Sequence, residues 1–281
     1  MKIKTISSSF LRMSIPVLFM TLPGMSSAQE NYPITFDFGT DQDKTTYSDA
    51  GFTAASDNGV GIENNANNVS INNKSTSLRT GGITRTFPGL GNGARRGFSI
   101  TSRFQMIHYQ SWAGGGWRPG SVLLFANSSS VNDMNNSGLA VQLRSTGTAQ
   151  SNSTLFQITN GITGTILTSA PFPDHLQHPD RLEITVDVSF SGTNDMLVEA
   201  TLTHLDENVS LQISHFFEDS ADTYIGGTHF GFGARIREGA SWRDRGGEVA
   251  VESFSVDIKR ATLILLSSHY TDPMGQNQPG L

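Results

Sequence analysis

The chain contains no cysteine, which excludes disulfides, thiolate metal sites, iron–sulfur clusters and cysteine nucleophiles. Charge is sparse at 16% of residues, and no long stretch shows helical periodicity, so a coiled coil or conventional helical bundle is disfavoured. No apolar run reaches the ~20 residues that a spanning helix needs. The longest, around Met13 to Met25, is interrupted by Pro16 and Pro23, and Ala261 to Leu266 is far shorter. There is no Gly-x-Ser-x-Gly elbow, and the seven histidines are scattered, which leaves a serine hydrolase without local support. The glycines of Gly89-Leu90-Gly91-Asn92-Gly93 do not join a strand to a helix, so they read as a loop rather than a nucleotide fingerprint.

What is present begins with a leader. Residues Met1 to Ala28 combine a basic start (Lys2, Lys4, Arg12), an apolar centre, and the small residues Ser26 and Ala28 before Gln29, the pattern of a secretory signal peptide. Its removal leaves 253 of 281 residues, with 16 basic side chains against 25 acidic ones, formally −9. Such a chain is a poor match for nucleic acid, because nothing neutralises the phosphates. The expected organisation is a signal peptide at 1–28, one domain at 29–260 and a short polar extension at 261–281, without a membrane anchor. The destination is secreted, periplasmic or extracellular. Sequons at Asn68, Asn127 and Asn208 would be acceptors only in a eukaryotic secretory pathway.

Strict alternation dominates the domain. Leu182, Ile184, Val186, Val188 and Phe190 share one side while Glu183, Thr185, Asp187 and Ser189 share the other, the period of a half-buried strand. Phe98, Ile100, Phe104 and Met106 repeat it. Val198, Ala200 and Leu202 continue it after a turn at Ser191 to Asp195. Further strands are expected at 34–38, 122–126, 139–144, 154–159, 163–167, 209–215, 228–234 and 248–258, and the Asn-rich stretch from Asn58 to Ser77 reads as a long surface loop. Half-polar strands separated by Gly, Asn and Ser clusters must each hide one face, so the fold class is all-β, an antiparallel two-sheet β-sandwich of jelly-roll type.

The segments Arg181-Leu182-Glu183-Ile184-Thr185-Val186, Gly231-Phe232-Gly233-Ala234-Arg235 and Phe254-Ser255-Val256 resemble the concanavalin A-like lectin/glucanase superfamily, most closely the laminin G-type jelly rolls of exported bacterial proteins. The resemblance covers about the last third of the domain. It implies a sandwich fold and a glycan-related role.

Candidate chemistry is limited. Glu183 and Asp187 approach the Glu-x-Asp-x-Glu pattern of retaining glucanases in that superfamily, but Thr185 occupies the centre. Strand positions four apart also lie roughly 13 Å apart, against the 5–5.5 Å that retention needs. No catalytic residue is therefore assigned. Trp112 and Trp117 bracket Gly114-Gly115-Gly116 and precede Arg118. An indole on such a loop can stack on a sugar with Arg118 or Tyr109 fixing it, or it can plug the end of the sandwich. Around Trp242, Arg235, Arg237, Arg243 and Arg245 concentrate positive charge. They suit carboxylate or sulfate groups of an acidic polysaccharide, or else salt bridges with Glu238, Asp244 and Glu248. Asp37, Asp41 and Asp43 are hard oxygen donors without a calcium-loop pattern, so calcium is the one cofactor left open. His175 and His178 lack the helix and base of a zinc-protease site.

The function expected is an exported, non-catalytic carbohydrate-binding or adhesion-type module whose partner is a glycan or polysaccharide. The alternatives are a glycoside hydrolase or polysaccharide lyase of the same fold, and a structural or protein-interaction domain without a small ligand. Oligomeric state is not readable.

Overall fold

The alternating segments become strands in a computed structural model that describes residues 31–74, 77–108, 117–127, 138–145, 154–174, 176, 179–236 and 247–259. In chain order the strands are β1 (Ile34–Asp37), β2 (Thr53–Ser56), β3 (Val60–Asn64), β4 (Val69–Asn73), β5 (Arg79–Thr86), β6 (Phe98–His108), β7 (Arg118–Ala126) and β8 (Leu139–Ser145). They continue with β9 (Thr154–Asn160), β10 (Ile166–Pro171), β11 (Arg181–Ser191), β12 (Asp195–His204), β13 (Val209–Phe217), β14 (His229–Ile236) and β15 (Gly247–Ile258). Two antiparallel sheets result. One has eight strands in the order β13-β12-β11-β6-β15-β4-β3, with β1 also on β15; the other has seven in the order β10-β9-β8-β7-β14-β5-β2. The 12-residue β15 carries β4 and then β1 end to end along one edge, which is how it serves three partners.

The core lies between the sheets, supplied by the in-phase residues of both. Leu182, Ile184, Val186 and Val188 are fully buried, as are Phe98, Ile100, Phe104 and Met106, and Phe190 packs at the margin. Each such side chain contributes roughly 1.5–3 kcal/mol by leaving water. Aromatic rings tie the layers together: Phe104 meets Phe232 across the sandwich at 5.0 Å between centroids, and Phe98, Phe125 and Phe230 form mutual edge contacts at 5.2–5.7 Å.

Three ion pairs stand on the eight-stranded sheet. Arg103 Nε donates to Glu183 Oε2 at 2.6 Å, Lys259 Nζ pairs with Asp187 Oδ1 at 2.8 Å, and Arg181 Nη2 pairs with Glu252 Oε2 at 2.8 Å. Glu183 and Asp187 are thus members of surface ion pairs.

Two expectations need correction. The stretch 58–77 is not a long loop: it holds β3 and β4, with Ile62 opposite Ile71 and Ile71 opposite Val249. Its asparagines suggested a turn, but Val60, Ile62, Val69 and Ile71 alternate inward, and the buried Asn73 amide donates to the carbonyls of Ser77 and Ile236. The strand expected at 163–167 starts later, at Ile166. Asn160 Oδ1 accepts from the backbone N–H groups of Ile162 and Thr163, and Gly164 takes φ +72°, which closes a turn before pairing resumes.

Candidate functional site

The glycines show which side of the seven-stranded sheet faces away from the core. A Cβ at Gly120 would lie 2.5 Å from the Phe104 ring, and one at Gly81 would lie 2.6 Å from Val60, both on the opposite sheet. Gly120 and Gly81 therefore point inward, and residues in the other phase form the outer face. Across that face the register assembles an unbroken row of Cα partners: Ser169, Gln157, Gln142, Ser121, Gly233, Gly82 and Ala55, one from each strand from β10 to β2.

The sheet bends toward this face. Leu123 on β7 and Ala140 on β8 form a small apolar cluster with Ala55 on β2. Even from β7, three strand spacings would separate the backbones by about 14 Å in a flat sheet, too far for those side chains to touch. The side-chain-free Gly233 and Gly82 lie between them. Two register shifts of β7 against β14 add curvature, because a bulge bends its strand. At one, Phe125 takes φ +56° and buries its ring in the core. At the other, Pro119 and Gly120 together oppose Ala234, so Arg118 pairs with Arg235. Simple alternation from Val122 and Leu124 would have aimed Arg118 at the core; the extra residue turns it onto the concave face.

This face is polar in an unusual way. Ser121 and Gln157 are fully buried and Gln142 is 2% exposed, yet Ser121 Oγ, Gln142 Oε1 and both side-chain heteroatoms of Gln157 have no hydrogen-bond partner. Thr84, on the same face opposite Gly231, shares this condition at Oγ1. Each buried unpaired group costs about 1–3 kcal/mol, and such groups in a folded protein call for an ordered water or a ligand.

Beside the row stand three half-buried arginines. Arg118 and Arg235 are direct cross-strand partners, and Arg144 lies two residues beyond Gln142 on β8. Burial, then the nearby Arg235 and Arg144 charges, hold the Arg118 guanidinium below its ordinary range. Like charges directly opposite on adjacent strands are destabilising. Among the described residues none of the three is paired with a carboxylate, in contrast to Arg95, Arg103 and Arg181.

Of the ligand candidates named from the sequence, Arg118 and Arg235 are brought together here. Trp117 precedes them but belongs to the hydrophobic core cluster between the sheets, so its indole fills the interior as the plug reading expects. Trp112, Arg237 and Trp242 lie outside the described residues, as do Tyr109, His175 and His178. Sequence reasoning missed Arg144, Gln142, Gln157 and Ser121. The signal available for them was a polar residue at every second position of otherwise apolar strands, which normally marks solvent. Asp41 and Asp43 are exposed, and among the described residues no three His, Asp or Glu side chains converge on a possible metal site. Asp174 Oδ2 instead lies 2.6 Å from Nδ1 of the buried His204, with Asp180 Oδ1 3.7 Å from its Nε2.

No protein-family model and no curated sequence matches the chain. Solved structures do. Lectin II from Ulex europaeus aligns over 81% of this chain and 98% of its own at 12% identity, with a TM-score of 0.55. Winged bean acidic lectin, solved with methyl-α-D-galactose, aligns over 81% and 99% at 11% identity and 0.54, and a Lotus tetragonolobus seed lectin isoform over 81% and 99% at 12% and 0.53. What this chain shares with those lectins is the fold, the two-sheet concanavalin A-like β-sandwich.

Proposed function

We propose that the protein is an exported, non-catalytic carbohydrate-binding or adhesion-type module that seats a glycan on the concave face of the seven-stranded sheet. The observation that carries this reading is the row of buried, unpartnered Ser121, Gln142 and Gln157 side chains. A sugar presents adjacent hydroxyls that both donate and accept, and serine and glutamine side chains offer the complementary groups at strand spacing. Similarity in fold to lectins supports the assignment, and the leader supports export. The seven strands contain no Asp or Glu. The strands themselves therefore offer no carboxyl pair at the spacing of either hydrolytic geometry.

The test is a glycan array probed with the purified protein in calcium and in chelator, followed by titration of the best hit. Binding that falls at least tenfold in Gln142→Ala and Gln157→Ala, with circular dichroism unchanged, is expected. Absence of any hit, or binding indifferent to both substitutions, refutes the site. Appearance of shortened chains or unsaturated sugar ends in the mixture would replace binding with hydrolysis or elimination.

A further inference from the structure

The two sheets divide the charge of the protein between them. The strands of the eight-stranded sheet carry nine carboxylates and two arginines. Those of the seven-stranded sheet carry five arginines, Arg79, Arg85, Arg118, Arg144 and Arg235, and no carboxylate. Arg79 and Arg85 share the inward phase of Gly81 on β5, so Arg118, Arg144 and Arg235 are the strand charges of the outer face, positive in a chain whose formal net charge is −6. Arg85 is occupied over the rings of Phe36 and Phe87 at 4.9 and 5.2 Å, while Arg118, Arg144 and Arg235 lie beside the unpartnered row. Asp57, which follows β2 beside Thr80 of β5, accepts the backbone N–H of Thr80 at 2.8 Å.

We infer that the glycan bound on this face is anionic, with a sulfate or carboxylate seated by Arg118, Arg144 and Arg235 while its hydroxyls meet Ser121, Gln142 and Gln157. The inference rests on the carbohydrate-binding reading above and specifies its ligand class. Three guanidinium groups held together with no carboxylate partner among the described residues repel one another, and an oxyanion relieves that repulsion while accepting two parallel N–H bonds from a guanidinium fork. Burial of Arg118 strengthens the attraction, since the charge is poorly hydrated where it stands. Nonspecific attraction of polyanions is disfavoured by the net negative charge, so preference for a charged glycan has to come from a local site.

Matched polymer pairs test this. Dextran sulfate against dextran reads the sulfate arm, and polygalacturonate against its methyl ester reads the carboxylate arm, each by isothermal titration at ~0.15 M salt. At least one charged polymer is expected to bind ten or more times tighter than its neutral counterpart. That preference should collapse to within about threefold in Arg118→Gln and in Arg235→Gln, with melting temperatures no lower than the parent's. Equal binding of charged and neutral members overturns the anionic assignment but leaves the carbohydrate reading standing. A charge preference that survives both substitutions places the anion elsewhere and also overturns it. Binding of none of the four polymers overturns the anionic assignment, and if the glycan array is also blank the carbohydrate reading falls with it.

Discussion

Gln157→Met should make the protein more stable while weakening its binding. The side chain is fully buried on the concave face, and neither its Oε1 nor its Nε2 has a partner. Methionine has the same unbranched reach, so the substitution removes two unpaired heteroatoms with little change of volume. Relief of an unsatisfied buried amide is worth about 1–3 kcal/mol. For a domain of this size each kcal/mol moves the midpoint by roughly 2–4 °C, so an increase of several degrees is expected. Differential scanning calorimetry supplies the measurement, and urea unfolding with an unchanged m-value confirms that the shift is one of stability. Ile158→Ala on the adjacent inward position provides the contrast, with a loss of about 2–5 kcal/mol. Gln142 is the Cα partner of Gln157, so the two methionine substitutions should not add independently. A drop in midpoint for Gln157→Met would refute the reasoning, because it would mean that the amide was already paired and that the row has no unmet hydrogen bonds to offer a ligand.

Further outcomes follow from the same geometry. Val186→Asp should cost about 3–5 kcal/mol by leaving an unpaired charge in the core, while Thr185→Asp on the outer face costs less than about 1 kcal/mol; equal melting shifts would refute the register. Burial lowers the pKa of His215, which lies 3.1 Å from Thr168 Oγ1 and 4.6 Å from the Phe217 ring. The fold therefore favours the neutral imidazole, and the unfolded chain takes up the proton first. The stability so gained is present above about pH 6.5 and is lost as pH falls toward the depressed folded value. His215→Gln should flatten the urea midpoint against pH below about 6.5, and an unchanged slope would contradict this. Finally, expression in a secreting host should yield a product beginning at Gln29 by intact mass, and retention of Met1 to Ala28 outside the cytoplasm would disprove the leader.

Much of the fold was legible because its signal is local. The alternation in 98–108 and 182–190 requires only that adjacent side chains leave a strand on opposite sides, and both segments form strands with the expected inward residues. Asn58 to Ser77 misled because asparagine signals turns by its local hydrogen bonding, whereas here Asn73 spends that capacity on the carbonyl of Ile236, 163 residues away. The concave face was less legible still. Arg118 and Arg235 were singled out, but in two separate segments of the chain, and Gln142, Gln157 and Arg144 were not singled out at all.

The amino-acid sequence by itself determined the all-β class, the inward set of the long strands, the absence of thiol and disulfide chemistry and the overall negative charge, each a property of composition or of near neighbours. Tertiary structure alone decided which strands share a sheet, and with that the sign of each face. Net charge is a sum over the chain and carries no positional information, so a sheet whose strands carry arginine and no acid could not be read from it. A two-versus-one bulge at Pro119 and Gly120 then determined that Arg118 points toward Arg235 rather than into the core. The register of a bulge depends on the partner strand, which lies more than 100 residues away along the chain.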